Sequence, residues 1–309
     1  MTQIGYYLVY GLLWLISLLP FWLLYIVSDV LAWFVHSVIR YRRRVVRGNL
    51  TSSFPWLTDK ELRRIERGFY RFLSDYAVET IKICSISNKT MFKRMKMVNL
   101  DIANEAMARG RNVSLLLGHY CNWEWVSSVT PHIDPQFVTG QIYHRLESKV
   151  MDKVFEKIRT HFKSHNIPMQ SALRQVVEWK REGKMSMMGY IADQAPLFEI
   201  HLFLDFLNHD TGVYTGPERI SRFLNAEVYY AHIRRPKRGY YELEMVPVTL
   251  RPNEEPIFSI TREYFRLLEE NIKEAPEYYL WSHKRWKRPR SAFEEHWGKE
   301  KAAEMLTHL

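Results

Sequence analysis

Cysteine is nearly missing from this chain, with only Cys84 and Cys121 among 309 residues. Two cysteines cannot build the disulfide framework of a small secreted scaffold, and they fit a reducing compartment. Glycine and proline, 13 of each, are too few and too scattered for a collagenous or low-complexity chain, and no internal repeat is visible. Neither H-E-x-x-H nor paired C-x-x-C occurs, so no metal and no cofactor is expected. Zinc-finger, homeodomain and RNP patterns are also missing, which argues against nucleic acid as partner despite a basic charge. The last shortage is local: no charged residue stands between Thr2 and Ser28.

What is present is apolar, aromatic and basic. Hydrophobic residues make up 47% and aromatics 14%, with ten tryptophans, enough for a sizeable core and for the Trp and Tyr that settle at membrane interfaces. As a helix rising ~1.5 Å per residue, Tyr6 to Val27 would span about 33 Å, long enough for a hydrocarbon core of roughly 30 Å. No Lys or Arg precedes the run and no small-residue cleavage site follows it, unlike a secretory signal. Arg40, Arg42, Arg43, Arg44 and Arg47 come next, which by the positive-inside rule places the body on the cytoplasmic face of the membrane. Pro20 would kink a continuous helix, and a second apolar run covers Val30 to Ile39, so a hairpin in one leaflet is the alternative. The expected division is an anchor over 1–40 and a catalytic domain over 41–309. The net charge of +10 gathers in that arginine run, in Arg234, Arg235, Lys237 and Arg238, and in Lys284 to Arg290. Beside a membrane segment, these clusters point to an anionic membrane surface. Alternation of Trp and cations from Trp281 to Arg290 reads as an interface anchor, or else as tryptophans packed under a sheet.

Downstream the pattern alternates. Thr58 with Glu61 forms a capping box for a long helix reaching about Cys84. A shorter helix covers about Leu100 to Arg109, closed by Gly110. Val113–Leu117, Phe137–Ile142, Met185–Ile191, Glu227–Ile233 and Tyr240–Pro247 read as strands. Helices are expected over Asn122–Val129, Met151–Phe162, Leu173–Arg181 and Thr215–Leu224. Strands alternating with helices make an α/β fold: a mixed central sheet flanked by helices, with an N-terminal apolar membrane helix or helical hairpin.

Chemistry concentrates in Gly118-His119-Tyr120-Cys121-Asn122-Trp123-Glu124. His119 follows a predicted strand at its carboxyl end, where ligands of open α/β sheets gather. Glu124, one turn on, could hold one imidazole nitrogen and leave the other to take a proton from a hydroxyl. An isolated H-x4-E also arises by chance, leaving a merely satisfied loop histidine as the plain alternative. A Cys121 thiolate with His119 as its base is a third reading.

Several further motifs stand in order: Gly48-Asn49-Leu50 after the arginine run, Tyr143-His144-Arg145, Arg159, Ala192-Asp193-Gln194, Thr215-Gly216-Pro217, and Pro276 through Tyr279-Leu280-Trp281-Ser282-His283-Lys284-Arg285-Trp286-Lys287. With the H-x4-E element, the set resembles the late (lauroyl/myristoyl) acyltransferases of lipid A biosynthesis, within the lysophospholipid acyltransferase superfamily. That resemblance implies transfer of a fatty acyl chain from acyl carrier protein to a hydroxyl of a lipid A precursor, a membrane lipid acceptor. It implies His119 as general base and Glu124 as its orienter. Arg145 and Arg159 would bind phosphate or developing charge, with Asp193 helping to shape the site; ordinary ion pairs are the alternative for these three. His144 interrupts the family's Tyr-Arg pair, Leu146 stands where proline is common, Ala195-Pro196 follows Gln194, and Phe206-Leu207-Asn208 lacks a glycine often found there. These departures leave the acceptor open, and the same chemistry on a glycerophospholipid, glycolipid or aminolipid is the runner-up. A non-catalytic basic membrane protein that recruits an acidic partner is the competing class.

Overall fold

The computed structural model describes residues 2–309. The apolar N-terminus is two helices, α1 (Thr2–Ser17) and α2 (Phe21–Trp33), the second running into a π-helical turn over Phe34–Val38. A continuous span over Tyr6–Val27 is therefore corrected to two helices broken at Pro20. Pro20 has no N–H to continue a helix, and it opens α2 with φ −66° instead of kinking it. The freed carbonyls of α1 find partners on the body: Lys82 Nζ donates to Ser17 O at 2.6 Å and Leu19 O at 2.9 Å, in the manner of a cationic C-cap. Phe21–Val38 is the one helix among the described residues long and apolar enough to cross a membrane, by length and composition.

Helix α3 (Arg43–Ser53) leads to α4 (Asp59–Lys82), which opens on the expected capping box of Thr58 and Glu61. α5 (Asn88–Arg94), β1 (Met95–Met97) and α6 (Asp101–Ala108) follow, then β2 (Val113–Leu117), on the residues its apolar run indicates. The helix expected after the catalytic-candidate loop is a 3-10 helix over Trp123–His132. Next come β3 (Val138–Tyr143), α7 (Lys149–Arg159), β4 (His165–Pro168), α8 (Ala172–Arg181) and β5 (Ser186–Ile191). A small antiparallel pair, β6 (Leu202–Asp205) and β7 (Asp210–Val213), precedes α9 (Gly216–Leu224), β8 (Glu227–Lys237) and β9 (Tyr240–Thr249). The chain closes with α10 (Ser259–Glu274), α11 (Arg290–Trp297) and α12 (Lys299–Met305).

The main sheet has seven strands in the order β1-β9-β8-β2-β5-β3-β4. Only β8 and β9 pair antiparallel; the remaining pairs are parallel. β2 lies at the centre, every residue buried, as a strand covered on both faces must be. Both helices pack on this body, α1 against α7 and α4 and α2 against α4. A Cβ on Gly5 of α1 would meet Val150 of α7 at 3.4 Å, and Ser28 of α2 donates to Asp75 of α4 at 2.6 Å. The face of α2 turned inward thus carries Leu24, Ser28 and Ala32, whereas Trp22, Ile26, Val30 and Trp33 are exposed.

Two basic clusters are partly consumed by ion pairs within the fold. Arg235 and Arg238 pair with Asp75 at 2.6 and 2.7 Å, and Arg43 and Arg47 pair with Glu66 at 3.3 and 2.9 Å. The alternation from Trp281 to Arg290 is likewise no interface anchor at its start: Trp281 and Arg285 are fully buried. Arg285 donates to Thr211 Oγ1 at 2.9 Å and Gly212 O at 3.0 Å, clamping β7. Lys284 and Lys287 remain exposed.

Candidate active site

Parallel pairing of β2 with β5 brings the site together. Leu117 stands beside Ile191, so two residues past each strand end His119 and Asp193 emerge side by side. His119 Nδ1 lies 2.7 Å from Asp193 Oδ1, and the His119 N–H donates to Asp193 Oδ2 at 3.0 Å. One carboxylate therefore fixes both the backbone and the ring of His119. Gly118 permits this approach, because a Cβ there would come within 2.5 Å of Leu268 Cδ1 on α10. On the other side of the loop, Leu280 N–H donates to His119 O at 3.1 Å and Cys121 N–H to Tyr278 O at 3.0 Å.

Among the described residues, Glu124 makes no hydrogen bond or ion pair with His119. The spacing argument that made it the orienter is corrected: Glu124 receives Arg159 through Nε to Oε2 at 3.0 Å and through a terminal nitrogen to Oε1 at 2.7 Å. The cause is burial. Glu124 sits on the first turn of the 3-10 helix and is almost fully buried, where a carboxylate demands a compensating charge. Arg159, the last residue of α7, supplies it with the forked geometry that lysine lacks. Arg159 also stacks over Tyr143 and Phe155, with centroids 5.7 and 5.1 Å away. Arg145 stands apart on the exposed segment between β3 and α7, and its side chain makes no hydrogen bond or ion pair among the described residues.

The electrostatics favour a charged Asp193. Burial pushes its carboxyl up, but the His119 ring and the hydrogen bonds from His119 outweigh that and hold it below the usual carboxylate value. The far nitrogen, His119 Nε2, faces Gln194 Nε2 at 3.2 Å. With Nδ1–H donated to Asp193, Nε2 carries the lone pair and can receive a proton. The ring meets Trp123 edge to face at 5.1 Å, and the His119 side chain keeps 18% exposure, so a substrate can reach it. Cys121 is buried with φ 51°, its thiol pushed well up by burial, an environment opposite to that of a reactive thiolate.

Two neighbours were not singled out from the sequence as site residues. Gln194 stands in the Ala192-Asp193-Gln194 motif, which gave it no role of its own. His283 accepts the Ala195 N–H at 3.2 Å, and burial pushes its ring down to about 4; it lay inside a motif whose folding could not be read locally.

With this geometry in view, comparison with known proteins is specific. Residues 1–288 match the family model described as bacterial lipid A biosynthesis acyltransferase. The chain is similar to a lipid A biosynthesis acyltransferase of Haemophilus influenzae, 23% identical over 81% of this chain and 76% of that one. It is also similar to a lipid A biosynthesis lauroyltransferase of Escherichia coli, 20% identical over 90% of this chain and 89% of that one.

Proposed function

The chain belongs to the bacterial lipid A biosynthesis acyltransferase family and is an acyltransferase, and from that premise we propose that it moves a fatty acyl chain from acyl carrier protein to a hydroxyl of a lipid A precursor, with His119 as general base. The observation that carries this reading is the 2.7 Å contact between His119 Nδ1 and Asp193. It leaves Nε2 as the acceptor on the accessible side of the ring. The acceptor hydroxyl takes the place of the Gln194 amide at Nε2 and loses its proton there as its oxygen attacks the thioester carbonyl. An ester C–O bond forms, the C–S bond breaks, and the imidazolium returns its proton to the departing thiolate. Asp193 stabilises the imidazolium meanwhile.

Glu124 acts through Arg159 on this reading: the ion pair fixes a guanidinium beside the site for a phosphate of the acceptor or for the developing oxyanion. Arg145, exposed between β3 and α7, is a candidate for the acceptor's phosphate. Residues 1–40 serve as the anchor and 41–309 as the catalytic body. The exposed stripe of α2 and the apolar residues Ile4, Leu8, Leu12 and Leu15 of α1 enter one leaflet of the inner membrane from its cytoplasmic face. Exposed Arg40, Arg42 and Arg44 lie on anionic headgroups.

The test is purified His119→Ala assayed with lauroyl-loaded acyl carrier protein and a lipid A precursor. Turnover should fall by about 10²–10⁴-fold, the scale of general-base catalysis. Retention of more than about half the wild-type rate would remove His119 from the chemistry.

A further inference from the structure

The loop that carries His119 is held from behind by a carboxylate the mechanism above does not use. Glu79 of α4 is wholly buried. Its Oε2 accepts Asn122 Nδ2 at 2.8 Å and the Tyr241 hydroxyl at 2.7 Å, and its Oε1 accepts the Tyr25 hydroxyl at 2.9 Å. Its backbone carbonyl accepts Trp125 Nε1 at 3.0 Å. One residue thereby joins α2, β9 and the segment between His119 and Glu124. The nearest cation is Arg235, 4.0 Å away, and burial pushes the Glu79 carboxyl up. The hydrogen bonds from neutral donors are thus its closest partners.

Asn122 is the link. While its Nδ2 is bound to Glu79, its Oδ1 accepts the Trp125 N–H at 3.2 Å and caps the 3-10 helix on which Glu124 sits. It follows Cys121, whose φ of 51° is disfavoured for any residue with a side chain. Such a backbone persists only where its surroundings over-determine it. The bonds to Tyr278 and Leu280 hold the loop on one side, and Glu79 holds it on the other.

We propose that Glu79 is a positioning residue for acyl transfer: through Asn122 it clamps residues 118–124, keeping His119 and Glu124 in their places. The proposal rests on the reading of His119 as base.

Asn122→Ser tests it, since serine still caps the Trp125 N–H but cannot donate its amide to Glu79. Expected is a fall in kcat of about tenfold or more, as for a reacting group moved by a fraction of an ångström. KM for the acyl donor should stay within about twofold of wild type, because acceptor alignment rather than donor binding is lost. Ser28→Ala is the control. It breaks the 2.6 Å bond from Ser28 to Asp75, in the same buried network but away from the loop, and should keep kcat within about twofold. The paired exchange Glu79→Gln with Asn122→Asp reverses donor and acceptor and should restore most of the rate. A kcat for Asn122→Ser within about threefold of wild type, or an equal loss in Ser28→Ala, overturns the proposal. His119→Ala in the same assay separates the two ideas. If it is inactive while Asn122→Ser is fully active, only the clamp fails; if it is active, the assignment of the base fails.

Discussion

At the scale of residues, two buried acids near one histidine are sorted by their partners. Asp193 meets His119 and Glu124 meets Arg159, so their replacement should fail in different ways. Asp193→Asn removes the acceptor for Nδ1–H and frees the ring to adopt the wrong tautomer. It should lower kcat by about 10²–10⁴-fold while the protein stays folded. Glu124→Ala instead strands a buried guanidinium, which should cost about 3–5 kcal/mol of stability in a denaturant titration. Near-wild-type turnover in Asp193→Asn, beside an inactive but stable Glu124→Gln, would restore Glu124 as the orienter. His283 makes a separate statement about pH. Burial lowers its ring from the ordinary 6.5 to about 4, so the unfolded chain binds the proton first. The stability its neutral form contributes is complete above pH 6.5 and drains away as pH falls toward 4. The melting temperature of His283→Asn should therefore fall less steeply than wild type across that window. An unchanged slope would show that other groups control the acid limb.

At the scale of elements, local signals worked where local physics decides. The capping box of Thr58 and Glu61 starts α4, and the apolar run Val113–Leu117 is β2. α10 went unread although Ile260, Tyr264, Leu268 and Ile272 recur at helical spacing and are buried. Its start has no capping side chain of its own. Glu218, from α9, accepts the Phe258 and Thr261 N–H groups at 2.9 Å each, and a cap brought from 40 residues away leaves no mark nearby in the sequence. The C-terminal motif shows the same limit. Trp281 is enclosed by Phe54 and Tyr279, with centroids 5.7 and 5.1 Å away. Trp281→Ala should thus cost about 3–5 kcal/mol, as large aromatic truncations in cores do. Lys284→Gln with Lys287→Gln should leave the melting temperature nearly unchanged, exposed charges contributing little. Thermal unfolding of the two variants checks this, and the reverse ranking would return the segment to the interface.

At the scale of the whole molecule, α2 is turned inside out relative to a surface helix. Hydroxyls of Tyr25 and Ser28 bond to α4, while Trp22, Ile26, Val30 and Trp33 face outward. This aligned apolar stripe is the surface that the proposed membrane attachment uses. Changing those four to Gln removes burial of roughly 1.5–3 kcal/mol each but leaves the inward bonds. Flotation with phosphatidylglycerol vesicles should drop to background while the variant melts like wild type in detergent. Salt should weaken wild-type flotation only in part, since the exposed arginines contribute about 1 kcal/mol apiece beside the apolar term. A variant that floats like wild type would move the attachment elsewhere.

The strands β2, β3, β5, β8 and β9, the start of α4, the loop that presents His119 and the ordered motifs of the family were determined by the sequence, because propensity, periodicity and capping act over a few residues. Which acid serves His119 was not. Asp193 lies 74 positions away and reaches the histidine only because β5 pairs with β2 in parallel. Glu124, five positions away, is claimed by Arg159, and Asn122 by Glu79. Strand neighbours and the partners of buried charges are settled by the closing of the core, where each desolvated group must find its complement across the fold. Tertiary structure made that choice, and with it the architecture of the site.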